Sequence, residues 1–206
     1  GKELSQLANS HPWLKTKSLV VKPDMLFGKR GKNNLVYFKD AKPGDITLDK
    51  AIKWIDEKAS EETTLLDGTK GKLNYFIVEP FTPHEQSEEF YLAFNTDAQL
   101  HDTIIFSDEG GIDIEKDWEK KTTTIDININ QNDKANELKI KTSLPEKHQS
   151  NQSLITFISN MYNLFKNLHF CYLEMNPFII KDNTITLLDL VAKIDDTSHF
   201  LFQKEW

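Results

Sequence analysis

The segment Glu79-Pro80-Phe81-Thr82-Pro83 limits the folds open to this chain more than any other stretch. Proline has no backbone donor, fixes φ and pushes the residue before it toward extended backbone. Neither a helix nor a central strand is expected to run through Pro80 and Pro83. The stretch reads as a stiff connector that divides the chain into a first lobe, residues 1–78, and a second, residues 79–206. A chain of 206 residues with 38% apolar and 11% aromatic side chains has enough Phe, Ile and Leu to bury a core.

The pattern on either side predicts an α+β fold in two lobes with mixed or antiparallel strands. Gly1 to Lys17 shows no strong period. Ser18 to Lys22 reads as a strand stopped by Pro23, and Asn34 to Lys39 as a second. Leu48, Ala51, Ile52 and Ile55 follow helical spacing, which predicts a helix from Thr47, as cap, to Ala59. Leu73 to Val78 is a further strand, interrupted at Glu79. In the second lobe Glu89 to Asn95 and Thr103 to Ser107 form an antiparallel pair, and Ile125, Ile127 and Ile129 alternate with polar neighbours. Asn130 to Asn136 reads as a polar loop. Leu154, Ile158, Met161, Phe165 and Leu168 recur at steps of four and three, giving the clearest helix, Gln152 to Asn167. Phe170 to Met175 and Thr184 to Leu190 read as a hairpin around Lys181-Asp182-Asn183.

Composition excludes several function classes. The formal charge of −7 gives no overall basic field for nucleic acid. The single cysteine, Cys171, rules out an internal disulfide framework, fits a reducing compartment such as the cytoplasm, and reads as a core residue. No apolar run reaches the ~20 residues needed to span a bilayer. None of the six histidines pairs with Cys171 at zinc spacing. The chain opens on Gly1, which reads as a piece of a longer protein.

Four features can carry chemistry. Lys22 ends a strand and precedes Gly28-Lys29-Arg30-Gly31-Lys32, where cations beside glycines can close over phosphates; a solvated basic loop explains the same residues. The spacing is not that of a Walker A loop. The connector at Glu79-Pro80-Phe81, with Glu88-Glu89 downstream, can offer backbone groups to an adenine edge and an acid to ribose hydroxyls; an edge-strand kink is the simpler reading. Glu174 and Asn176 share a strand face, and Asp189 follows on the next strand. An Asn carbonyl and an Asp carboxylate are hard oxygen donors suited to Mg²⁺, although Asn176-Pro177 also reads as a turn. Glu109-Gly110-Gly111 allows an unusual backbone path or a plain turn.

Set in order, these pieces resemble one family. Leu-Val-Val-Lys22-Pro-Asp, Lys29-Arg30-Gly31-Lys32, Glu79-Pro-Phe-Thr-Pro-His, Glu88-Glu89-Phe-Tyr, Glu109-Gly-Gly-Ile, Leu-Glu174-Met-Asn176-Pro and Leu-Leu-Asp189-Leu-Val-Ala-Lys193 follow the order of the ATP-grasp part of ATP-citrate lyase. His11-Pro-Trp-Leu and the closing Phe-Gln-Lys-Glu-Trp206 fit the same branch. Succinyl-CoA synthetase β subunits look similar but more distant. The resemblance spans nearly the whole chain and implies a two-lobed ATP-grasp fold that holds ATP and Mg²⁺.

Carried over residue by residue, Lys22 resembles the lysine on the ATP phosphates, and Lys29, Arg30 and Gly31 the phosphate loop. The family often has Arg-Arg-Gly there, so Lys29 keeps the charge without the planar fork. Val78, Glu79 and Phe81 resemble the adenine connector and Glu89 the ribose acid. Asn176 and Asp189 resemble the Mg²⁺ ligands, and Glu174 the catalytic acid that steadies a phosphohistidine from another domain. The implied chemistry is MgATP-dependent phosphorylation of that histidine, toward citryl phosphate and citryl-CoA, ending in acetyl-CoA and oxaloacetate. The implied partners are the remaining domains or subunits with the phosphohistidine, citrate and CoA sites, in an oligomer. An acid–CoA ligase subunit like succinyl-CoA synthetase, and a stand-alone nucleotide- or protein-binding module, are the alternatives.

Overall fold

The computed structural model describes residues 1–96, 101–111 and 118–205; Ile112 and Trp206, quoted above among the motifs, lie outside them. The chain splits into two compact units, Gly1–Pro83 and His84–Trp206.

The first unit runs α1 (Lys2–Ser10), α2 (Trp13–Thr16), β1 (Leu19–Pro23), α3 (Leu48–Ser60), the short β2 (Glu62–Thr64) and β3 (Lys70–Lys72), then β4 (Phe76–Pro80). Its core joins Leu4 and Ala8 of α1, Leu19 and Val21 of β1, Ile46, and Ala51 and Ile55 of α3. α3 forms as its spacing predicts, with the Thr47 hydroxyl accepting from the Lys50 N–H at 3.5 Å as the N-cap. α1 escaped notice in the sequence because only Leu4 and Ala8 are buried, too short a stripe to show a period. β1 and β4 pair antiparallel, with Lys22 opposite Ile77 and Leu19 opposite Pro80. The strand therefore runs past Val78 and through Pro80. Pro80 is tolerated because it is the last residue of a strand in a two-stranded sheet.

The strand expected over Asn34–Lys39 does not form. Only single bridges occur there, Val21 to Tyr37 and Lys39 to Pro43. The chain turns instead around the Asp45 carboxylate, which accepts N–H groups from Asp40 at 2.7 Å, Ala41 at 2.9 Å and Lys42 at 3.3 Å. Desolvation pushes this carboxyl up, but the three donors and the nearby Lys50 ammonium outweigh it and hold it at about 2, against an ordinary 3.8. A depressed folded-state pKa gives stability that is present above the ordinary value and lost as pH falls through the folded one. Asp45→Asn is therefore expected to remove part of the loss of stability between about pH 4 and pH 2. Urea unfolding of both proteins at pH 5 and pH 2 checks this; an unchanged difference between the two pH values contradicts it.

The second unit carries β5 (Glu89–Thr96), β6 (His101–Ser107), α4 (Trp118–Lys121), β7 (Thr123–Asn128), α5 (Asp133–Ser143), α6 (Gln152–Asn167), β8 (Phe170–Lys181), β9 (Thr184–Leu187), β10 (Leu190–Ile194) and α7 (His199–Phe202). Its sheet runs β10-β8-β5-β6-β7, with β9 also on β8, and each of these pairings is antiparallel. α5 begins inside Asn130–Asn136, the stretch read as a polar loop. Its buried side chains are few, Asn136 and Ile140, so its apolar period is weak, and the Asn132 cap is the stronger signal.

One sheet face packs on α5 and α6. Leu92, Phe94, Ile104, Phe106, Leu173 and Met175 meet Ile140, Leu154, Ile158, Tyr162 and Phe165 there. Buried Asp102 is satisfied inside this unit by the Tyr162 hydroxyl at 2.9 Å and the Thr96 hydroxyl at 3.0 Å. Strand alternation turns the other face outward. Tyr91 and Ala93 are buried on it, with Ile105 and Tyr172 packed against them. Cys171, expected in the core, is exposed: it precedes the first buried β8 position, Leu173, at the end of the strand.

Candidate functional site

In the first unit Lys22, Glu79 and Arg30 are brought together toward the end of β1, while Phe81 lies beside its start. Lys22 is buried, and its ammonium sits 2.8 Å from the Glu79 carboxylate on β4. The two strands are paired, so residues 57 positions apart become neighbours (79 − 22 = 57). A buried ammonium needs such a partner to offset its desolvation. Arg30 joins them: its Nη1 donates to the Pro23 carbonyl at 2.8 Å, next to Lys22. Lys29 turns the loop with left-handed backbone, φ 61°, and its carbonyl accepts from the Asn33 amide at 2.9 Å. The Gly31 carbonyl accepts from the Asn34 N–H at 3.1 Å. The basic loop is thus shaped by its own backbone.

Val78 lies on β4 opposite Val21. Phe81 follows, with its N–H donating to the Ser18 carbonyl at 2.7 Å and its ring stacked on Phe38 at 6.3 Å. The Glu79 side chain is committed to Lys22, so any base-edge contact at this connector falls to backbone groups.

In the second unit the outward sheet face brings together Glu89, Gly111, Glu174, Asn176 and Asp189. Leu173 and Met175 enter the core, so Tyr172, Glu174 and Asn176 stand on the opposite side of β8. The Asn176 N–H donates to the Asp189 carbonyl at 3.2 Å. The Gly111 N–H donates to the Asn176 side-chain oxygen at 2.7 Å, which fixes the amide. The Glu89 carboxylate covers Gly111 so closely that an added Cβ would lie 2.1 Å from its Oε2. Glu89 is held in turn by His84, whose Nε2 is 3.1 Å from Oε1. Glu109, on the loop before Gly110-Gly111, pairs with Lys121 at 2.6 Å.

Among the described residues no group of three or more His, Cys, Asp or Glu side chains is placed to hold a metal. Asn176 and Asp189 form a smaller set of the right chemistry for Mg²⁺. A carbonyl oxygen has two lone pairs, and Gly111 takes one, leaving the Asn176 amide oxygen able to ligate. Mg²⁺ commonly takes only one or two protein ligands and completes its shell with water and phosphate. The residues present fit the ion.

Sequence reasoning missed the residues that hold the others: Tyr172, His84 and the Gly111 N–H. The Tyr172 hydroxyl donates to Glu174 Oε2. Tyr172 could have been found from the spacing Tyr172-x-Glu174-x-Asn176, since alternate strand residues share a face. Burial, then the Glu174 carboxylate, pushes Tyr172 up to about 12. Buried Tyr91 of β5 donates to Tyr172 and is also pushed up, by burial first and then by Glu174. Lys193, opposite Tyr172 on β10, places its ammonium 5.2 Å from the ring centre.

Comparison with known proteins identifies the family. A family model described as the ATP-citrate synthase ATP-grasp domain matches residues 1–206. The chain is 40% identical to ATP-citrate synthase alpha chain protein 2 of Arabidopsis thaliana over 205 residues, covering 99% of this chain and 45% of that protein. It is 33% identical to the Homo sapiens ATP-citrate synthase over 202 residues, covering 98% of this chain and 18% of the relative. A solved structure of ATP citrate lyase from Methanothrix soehngenii, in complex with citrate and coenzyme A, superposes with a TM-score of 0.80 at 35% identity. That match covers 98% of this chain and 44% of the other. The chain thus spans less than half the length of each of these relatives. With its two α+β units and a family match along its whole length, the chain belongs to the ATP-citrate synthase ATP-grasp domain family.

Proposed function

We propose that this chain binds MgATP and supplies the phosphoryl-donating part of an ATP-citrate lyase. The observation that carries the reading is the Gly111 N–H contact that orients the Asn176 amide oxygen, with Asp189 joined to Asn176 through the backbone, on the sheet face that carries Glu174. Lys22 and Arg30 bind and offset the charge of the ATP phosphates, with Lys29 and Gly31 shaping the loop around them. Backbone groups from Val78 to Phe81 receive the adenine edge, and Glu89 accepts ribose hydroxyls. Asn176 and Asp189 hold Mg²⁺, which when bound neutralises charge on the phosphates.

Glu174 accepts the ring N–H of a histidine from another domain and orients the opposite nitrogen toward the γ-phosphorus. As the N–P bond forms, the bond to the β,γ-bridging oxygen breaks and ADP leaves. The remaining domains or subunits then pass the phosphoryl group to citrate and carry citryl-CoA to acetyl-CoA and oxaloacetate, in an oligomer. The single cysteine supports a cytoplasmic setting. Among the described residues no helix is long and apolar enough to cross a membrane.

The test is phosphoryl transfer in a complete lyase that carries this chain. Incubation with γ-labelled ATP and Mg²⁺ should give an acid-labile, base-stable label on a histidine, discharged by citrate. Label that survives acid, or none at all, contradicts the reading.

A further inference from the structure

The open face of the second sheet contains one buried polar chain that the proposed chemistry does not yet use. Tyr91 comes from β5, at the point where the pairing of β5 with β8 shifts register between Phe90 and Leu92. Strand alternation puts its ring on the face of Ala93, in the small apolar cluster with Ile105 and Tyr172. Tyr91 is only 4% exposed, so its hydroxyl requires a partner inside the protein, and Tyr172 is that partner. The Tyr172 hydroxyl in turn donates a hydrogen bond to the Glu174 carboxylate. The polar chain therefore runs from the buried side of the face outward to Glu174.

Two more contacts hold the middle of this chain. Lys193 lies over the Tyr172 ring, and Val191 stands opposite Glu174 on β10. The groups facing Tyr172 are thus Tyr91 from β5, Glu174 from its own strand and Lys193 from β10. A flexible carboxylate on an open face would sample several rotamers. One that accepts from a tyrosine anchored on three strands is held in one orientation.

We propose that Tyr172, backed by Tyr91, is a positioning residue that fixes the Glu174 carboxylate for the incoming histidine. The proposal rests on the role given to Glu174 above. Tyr172 itself touches neither nucleotide nor histidine, so its removal should slow phosphoryl transfer without loosening the nucleotide.

The test uses a complete lyase carrying this chain, with Tyr172→Phe, Glu174→Gln and the double variant. Phe keeps the ring in its cluster, and thermal melting of each variant confirms folding. Tyr172→Phe is expected to slow histidine labelling on the order of tenfold while MgADP affinity stays within about twofold. On the Glu174→Gln background the same change should cost nothing further, because the group it positions is already gone. An unchanged rate in Tyr172→Phe, or a full independent loss in the double variant, overturns the positioning role. An unchanged rate in Glu174→Gln instead removes the role of Glu174 and the proposal with it, which separates the two failures. Tyrosine ring carbon NMR gives a second readout: Glu174→Gln should bring the Tyr172 ionisation down from about 12 toward its ordinary value. No movement shows that the contact is absent in solution.

Discussion

Asp189→Ala is expected to weaken MgADP binding by at least about tenfold, as the loss of a charged ligand from a two-residue Mg²⁺ set. Asp189 sits in the short link between β9 and β10, where its Oδ1 accepts from the Leu190 N–H at 2.9 Å and its carbonyl accepts from the Asn176 N–H. The second contact is made by backbone and survives the substitution. The fold should therefore hold, and the loss should appear as affinity rather than as unfolding. Its signature is a change in metal dependence: the wild type should bind nucleotide more tightly with Mg²⁺ than with EDTA, and the variant should show little difference. Equal affinity in the two proteins contradicts the metal role of Asp189.

Gly110→Ala should have the largest effect on stability. An added Cβ at this position would lie 2.6 Å from the Phe90 carbonyl oxygen and 2.8 Å from its carbon. Those atoms belong to β5, a central strand paired on both sides, and cannot swing away as a side-chain end would. Either the loop lifts off the sheet or the strand shifts. The expected loss is about 1–3 kcal/mol, typical of overpacking against a fixed neighbour. Lifting the loop would also withdraw the Gly111 N–H from Asn176, so nucleotide affinity should fall together with stability. Gly71→Ala is the control, since nothing lies within 4 Å of its added Cβ. Urea midpoints that match in the two variants contradict the close approach at Gly110.

The parts of the fold that the sequence revealed are those whose burial is periodic. α6 repeats its apolar side chains through four turns and is found where its spacing puts it. β5 and β6 alternate against a single core face and pair as expected. α1 and α5 bury two residues each, and so few points do not define a period. The stretch Asn34–Lys39 had strand-like residues, but the Asn34 and Leu35 N–H groups turn back to the Gly31 and Arg30 carbonyls, and Tyr37 meets Val21 only as a single bridge.

The candidate site divides in the same way. The positions of Glu174 and Asn176 were legible from strand parity; Asp189 was picked out by donor type alone, and it sits in the link between β9 and β10 rather than on the expected strand. Their holders were not legible. The Gly111 N–H reaches Asn176 across 65 residues, and Tyr91 reaches Tyr172 through the pairing of β5 with β8. Glu79 shows a further limit. Its place in the connector was visible, but its side-chain partner, Lys22, follows from the pairing of β1 with β4.

The central claim is that this chain binds MgATP through these residues. Calorimetric titration of the wild-type chain with MgATP, repeated with EDTA in place of Mg²⁺, tests it most directly. The expected result is a single saturable site whose affinity drops when the metal is removed. A folded chain that releases no binding heat, or that binds ATP equally well without Mg²⁺, would contradict it.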